Sequence, residues 1–446
     1  MADCPGFVRD GPEAAAGDGI AGSPGWWHLL RFANGVRLDD RARLFTFRSF
    51  GVADPSTTPS YVQCVGSAGR TKPKTRGNSE VTRNVLSRRV FAGAAALAVA
   101  ALVLAGCGDS GDDSDTPGAG SSSGAAGSDY SKLTGELKAS GASFPNAFYQ
   151  KSLDEFEKVA PDLAITYNST GSGTGKKEFG AGLTDFAGSD SLVKDGDGPK
   201  AGEFLYIPTV AAPITVSYNL PGVADLKLSG EVLVKIFQRD IKTWDDAAIK
   251  ADNPTATLPA KPIVVAHRSD GSGTTNNFTK YLAKVGGAAW KLGAGDTVAW
   301  PADTQGGDKN TGVAQIIKQS EGAIGYVDLS DATASNLVFA SIKNKDGKFV
   351  KASLAGATAA LAGATVKDDL TYDPLDAAGA ETYPITAPTY ILAKTKYDAA
   401  KGKNVKGFLK WLLTDGQKLA EGVNFAKLPD TLQTKALAQV EKIQAA

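Results

Sequence analysis

The sequence predicts an α/β protein, and two observations carry that reading. Apolar runs of strand length alternate with segments of helical period over roughly 300 residues after Lys132. Three loops rich in glycine and serine each leave an apolar run and lead into a helix-like segment. The alternation shows no convincing internal repeat.

The elements can be justified in chain order. Phe144 to Pro161 places Tyr149, Leu153, Phe156 and Ala160 at i, i+4, i+7 and i+11, one face of an amphipathic helix. "LAITY" at 163–167 reads as a strand, and a second short apolar piece ends in "TDFAGSD". "YIPTVAAPITVSYNL" is extended, "GEVLVKIF" helical and "PIVVA" a strand; Phe278, Tyr281, Leu282 and Val285 then repeat the helical spacing. "EGAIGYV" and "YPITAPTYILA" are later strands, and "KNVKGFLKWLLTDGQKLAEG" is a late helical region.

Composition narrows the function. Hydrophobic residues make up 42% of 446, ordinary for globular domains. The formal net charge is zero, but residues 1–106 carry 13 basic and 8 acidic groups, leaving 35 basic against 40 acidic in the remainder. A mildly acidic body argues against nucleic-acid binding, which needs a concentrated basic face. Cysteine occurs only at 4, 64 and 107, and histidine only at 28 and 267. The body after Cys107 therefore has no thiol for disulfides, thiolate metal sites or Cys-His pairs, and a Ser-His-Asp triad would have to use His267 beside Arg268.

The N-terminal region reads as an address. Residues 81–106 contain Arg83, Arg88 and Arg89 and then an apolar run from Val90 to Leu104, short for a membrane span and suited to a signal peptide. Leu104-Ala105-Gly106-Cys107 resembles the lipobox of bacterial lipoproteins, in which the cysteine is lipidated; a plain transmembrane anchor is the alternative. Residues 107–131, rich in Gly, Ser and Asp, read as a flexible tether. Ser87 to Phe91 also resembles a twin-arginine export motif. Residues 1–80 fit neither part and are expected to be an over-extended start or a disordered leader.

The three loops, "ASGASFPNAF" at 139–148, "NSTGSGTGKKEF" at 168–179 and "HRSDGSGTTNNF" at 267–278, carry the chemistry. Free backbone N–H groups at a helix start attract anions, hydroxyls add donors and glycine lets the backbone come close. A nucleotide P-loop fails twice in "TGSGTGKK": Thr170 stands where the first glycine is required, and Lys177 stands where Ser or Thr would hold magnesium. The glycine spacing also fails the Rossmann fingerprint.

In order and approximate spacing, "GASFP", "TGSGTG", "FAGSD", "RSDGSGT", "GAIGY" and "YPIT" resemble the phosphate-binding lipoproteins (PstS-type) of the bacterial high-affinity phosphate ABC transporter, over about residues 133–446. The resemblance implies a two-lobed periplasmic-binding-protein fold of type II with two hinge crossovers, near 211–215 and 382–388. One lobe would comprise 133–213 plus 386–446 and the other 214–385. The implied phosphate ligands are Ser143, the Phe144 backbone N–H, Ser172, Asp190, Arg268, Ser272, Gly273 and Thr274, with Asp270 bracing Arg268. Ser143 stands where the family often has Thr. The implied partners are inorganic phosphate, the membrane-spanning permease subunits and the membrane through a lipid on Cys107, with the protein monomeric on the outer face of the bacterial cytoplasmic membrane.

The residue chemistry agrees with a tetrahedral oxyanion: hydroxyl and backbone donors plus one planar guanidinium. Asp190 would repel a bare anion but can accept a hydrogen bond from one that still carries a proton, as phosphate does near neutral pH and sulfate does not. The expectation is a binding protein with no enzymatic activity, cofactor, metal or nucleic acid. A receptor for sulfate or molybdate is the alternative, and a phosphate-ester hydrolase a more distant one, since it would need a metal cluster or an activated nucleophile.

Overall fold

The computed structural model describes residues 129–446. The leader at 1–80, the signal peptide at 81–106, Cys107 and the tether up to residue 128 lie outside the described residues.

Strand β1 (Gly135–Gly141) pairs in parallel with β2 (Leu163–Ser169), from Gly135 opposite Leu163 to Gly141 opposite Ser169. Parallel neighbours need a crossover, and helix α1 (Asn146–Glu157) supplies it. It is shorter than the periodicity suggests because Pro145 cannot donate within a helix and caps it instead. Phe148, Tyr149 and Phe156 form its buried face, whereas Leu153 is only partly covered. Helix α2 (Ser172–Gly180) leads from β2 towards β3 (Phe186–Ser189), which pairs in parallel with the other edge of β1.

The long strand β4 (Phe204–Tyr218) organises the molecule. From Phe204 to Pro213 it runs antiparallel to the strand Thr386–Lys394, and from Ile214 to Tyr218 antiparallel to Ala323–Asp328. The strand Val264–Arg268 then pairs in parallel with both Ala323–Asp328 and Gln305–Gly307. The sheet thus runs β2, β1, β3, 386–394, β4, 323–328, 264–268, 305–307, with β4 joining a first half to a second. Strand β4 is buried without a break from Tyr206, which is why its sequence reads as a nearly continuous apolar run rather than an alternating one.

Pairing between β4 and 386–394 slips once: Thr389 faces Val210 but Tyr390 faces Pro208, so Thr209 has no opposite residue. Proline has no N–H for the ladder, and such a bulge re-aims neighbouring side chains. Helices cover both halves. Phe156 packs on Phe408 and Trp411 in the first, and Phe278 stacks on Tyr326 with ring centroids 4.4 Å apart in the second.

Candidate functional site

All three glycine- and serine-rich loops link a strand to a helix: β1 to α1, β2 to α2, and Val264–Arg268 to the helix Gly273–Gly286. The first two meet through Gly141, whose carbonyl accepts the N–H groups of Thr170 and Gly171 at 2.9 and 2.8 Å. Gly141 has φ +138°, and a Cβ there would lie 2.1 Å from the Gly188 oxygen, so only glycine fits. The second loop meets the third where the Gly173 N–H donates to the Gly271 carbonyl at 3.0 Å.

Arg268 is 3% exposed at the end of its strand. Its Nε donates to Asp270 Oδ1 at 2.6 Å and its Nη2 to Asp270 Oδ2, a bidentate pair. Its Nη1 donates to Asn310 Oδ1 at 2.8 Å and approaches Thr274 Oγ1 at 3.5 Å, and Asn310 Nδ2 is held in turn by Asp328 at 2.7 Å. Burial pushes the Asp270 carboxyl up, but its Arg268 bonds outweigh this and hold it below the ordinary carboxylate value. The Ser272 hydroxyl accepts the Thr275 N–H at 3.1 Å, so it caps the helix and keeps its own proton free to donate.

Asp190 is 3% exposed. The Thr389 hydroxyl donates to its Oδ1 at 2.7 Å, the Ser172 hydroxyl lies 3.4 Å from its Oδ2, and its backbone N–H donates to that same hydroxyl at 3.2 Å. Asn277 Nδ2 donates to its carbonyl at 2.6 Å. Gly273 closes the group, because a Cβ there would fall 2.5 Å from Ser172 Oγ and 2.7 Å from Asp190 Cβ. Burial raises the Asp190 pKa to about 7, against the lowering effects of Thr389 and Arg268.

The structure therefore brings Ser172, Asp190, Arg268, Asp270, Gly273 and Thr274 into one cluster linked by direct contacts. Ser143 and Phe144 follow Gly141 on the loop that packs against it. Among the described residues, the Ser143 hydroxyl is buried with no hydrogen-bond partner, and so is that of Thr170. An unsatisfied buried hydroxyl costs about 1–3 kcal/mol, and these two, on the loops that meet at Gly141, are donors available to a polar ligand. A cavity of about 430 Å³ reaches the cluster at Asp190 and Asn277 and has Lys280 and Tyr390 in its wall.

Several contributors escaped sequence reasoning. Thr389 sits inside "YPITAPTYILA", where the pairing of Tyr390 with Ser189 on β3 sets it one step along, towards Asp190, and Asn310 and Asn277 reach the cluster only through tertiary packing. Thr170, noted in the sequence only for spoiling a P-loop, has a buried hydroxyl with no partner among the described residues. Lys176, at the P-loop lysine position, turns instead to Asp197 and Asp296. His267 lies with its ring stacked on Trp300 and Nδ1 2.9 Å from the Arg268 carbonyl oxygen, and among the described residues it has no hydrogen bond to a serine or a carboxylate. Among the described residues, no group of three or more His, Cys, Asp or Glu could hold a metal, and no helix is long and apolar enough to cross a membrane.

Comparison with known proteins gives the family and the fold. The model of the PBP superfamily domain matches residues 120–416. The chain is 38% identical over 343 residues to the phosphate-binding protein PstS of Methanocaldococcus jannaschii, covering 69% of this chain and 86% of that one. The chain belongs to the PBP superfamily, in its PstS branch. Another PstS relative, from Pasteurella multocida, is 36% identical over 310 residues, covering 68% of this chain and 89% of its own. Among solved structures, a high-affinity periplasmic phosphate-binding protein bound with phosphate superposes with a TM-score of 0.56 at 24% identity, over 68% of this chain and 93% of that one. That likeness establishes the fold: the two-lobed α/β architecture of periplasmic binding proteins, built in this PstS member on the shared strand β4.

Proposed function

We propose that the protein captures inorganic phosphate between two lobes outside the cytoplasmic membrane and delivers it to the permease subunits of an ABC transporter, with no covalent chemistry. The observation that carries this reading is one buried cluster that holds the Arg268 guanidinium and, not in contact with it, the Asp190 carboxyl. Arg268 supplies charge-assisted donors and Asp190 a partner for a proton on the anion. Ser143, Ser172, Ser272, Thr274 and the backbone N–H groups of Phe144 and Gly273 complete the ligand set. The PstS names of the relatives support phosphate as the anion.

The lobes comprise 133–213 plus 386–446, and 214–385. Strand β4 crosses between them at Pro213–Ile214, and the second crossover lies alongside, where the Ile214 N–H donates to the Ile385 carbonyl at 2.8 Å. Two adjacent extended strands suit a hinge. The protein is monomeric and held at the outer membrane face by a lipid on Cys107. Cys107→Ser removes the only thiolate that could take the lipid and should move the protein from the membrane fraction to the soluble exterior; unchanged fractionation after signal-peptide removal counts against the anchor.

Calorimetric titration of the purified protein with phosphate, sulfate and molybdate tests the function. Phosphate should bind far more tightly than the other two, because only it brings a proton for Asp190. Equal affinity for all three, or none for phosphate, contradicts the reading.

A further inference from the structure

Lys176 and Asp296 lie beside the anion cluster, outside the ligand set, and belong to opposite halves of the sheet. Lys176 projects from α2, its side chain 2% exposed, and meets Asp197 Oδ2 at 2.6 Å and Asp296 Oδ2 at 2.9 Å. Asp296, between the helix Gly273–Gly286 and the strand Gln305–Gly307, also accepts the Ser191 hydroxyl at 2.9 Å. Two of its bonds therefore reach the first half, from Lys176 and Ser191. Its other oxygen accepts Asn276 Nδ2 at 2.9 Å, and its carbonyl takes the Ser272 N–H, both within the second half.

Each charge thus has a partner at home as well as one across the cleft. If the halves separate, Lys176 keeps Asp197 and Asp296 keeps Asn276, so neither is left buried and alone, which is the costly outcome for a broken ion pair. An ion pair of this kind can open and close repeatedly. It also sits one helical turn beyond Ser172 on one side and is tied to the Ser272 N–H on the other, so its closure draws together the loops that hold the anion.

We propose that Lys176 and Asp296 form a latch across the cleft, holding the closed form and setting how fast the bound anion leaves without touching it. The latch rests on the phosphate reading for its ligand but not for its structural readout. Asp296→Asn and Lys176→Met, singly and together, should be made in the full chain. Phosphate release by stopped flow should speed up about tenfold in each single variant, with association little changed, since interface changes act mainly on dissociation. The double variant should be no faster than the quicker single one, because both remove the same contact.

Amide hydrogen exchange separates the latch from simple loss of structure. The Gly173 N–H crosses the cleft to Gly271 and should exchange faster in the ligand-free variants, while amides of β1 paired with β2 keep wild-type protection. Unchanged exchange at Gly173 with unchanged release, or faster exchange spread equally over β1, overturns the latch. Exchange needs no ligand, so a wild-type protein that fails to bind phosphate would sink the function while the latch is still decided at Gly173.

Discussion

Two carboxylates border the same three loops in contrasting surroundings. Asp270 receives two bonds from Arg268 and the Lys309 N–H at 3.1 Å, and its carboxyl stays below the ordinary range despite burial. Among the described residues, the Asp190 carboxyl has no cation in contact, only the hydroxyls of Thr389 and Ser172, and burial lifts it to about 7. The difference teaches what each is for. Asp270 is a fixed charge that orients Arg268, whereas Asp190 is poised so that a proton can be shared with whatever lies against it.

Removing the cation breaks the comparison most severely. Arg268→Ala takes away a charge-assisted donor worth roughly 1.5–3 kcal/mol and leaves Asp270 and Asn310 without their partner. Phosphate affinity should fall about ten- to over a hundred-fold by calorimetry, and Arg268→Lys should recover only part of it, since an ammonium cannot pair bidentately. An alanine variant that binds as tightly as wild type would show that the cluster is not the anion site.

Asp190→Asn sharpens the contrast in stability. Its folded pKa of about 7 lies above the ordinary 3.8, so the folded protein holds a proton that the unfolded chain releases as pH rises through that window. Stability from this group is therefore highest below the window and lowest above about pH 7, a difference on the order of a few kcal/mol. In phosphate-free denaturant titrations the asparagine variant should be more stable than wild type near about pH 8 and lose that advantage as pH falls towards about 4. A pH-independent difference would mean that Asp190 is not held with a raised pKa.

A smaller effect is expected from Thr389→Val, which removes the donor on Asp190 Oδ1 and leaves the backbone pairing intact. Wild-type sulfate affinity should fall as pH rises through about 7, because Asp190 then loses the proton it could donate to a fully deprotonated anion. Without Thr389 the ionised form is less stabilised, so the midpoint of that fall should move to higher pH. No movement would assign Thr389 a packing role alone.

The legibility of these features differs for physical reasons. Strand and helix periods are local, so "GEVLVKIF" matches the helix Gly230–Phe237 residue for residue and β2 needs only two residues added to "LAITY". The helix at Phe144 read too long because apolar spacing continues through Pro145 and past Glu157 while the backbone bonds do not. Loops that open helices were visible as glycine and serine clusters. Thr389, Asn310 and Asn277 were not, since pairing with β3, a separate helix start and the packing of Asn277 on the Asp190 carbonyl bring them in, and none of these leaves a periodic trace. The Asp197 and Asp296 partners of Lys176 were equally hidden, 21 and 120 residues away in sequence.

The central claim is that Asp190 selects an anion by its proton. The direct test is to titrate phosphate and sulfate against wild type and Asp190→Asn at one pH above about 7, where the wild-type carboxyl is ionised. Asparagine keeps the size and an acceptor oxygen while removing the charge, so the variant should gain sulfate relative to phosphate whatever happens to absolute affinity. An unchanged sulfate-to-phosphate preference in a correctly folded variant would contradict the account.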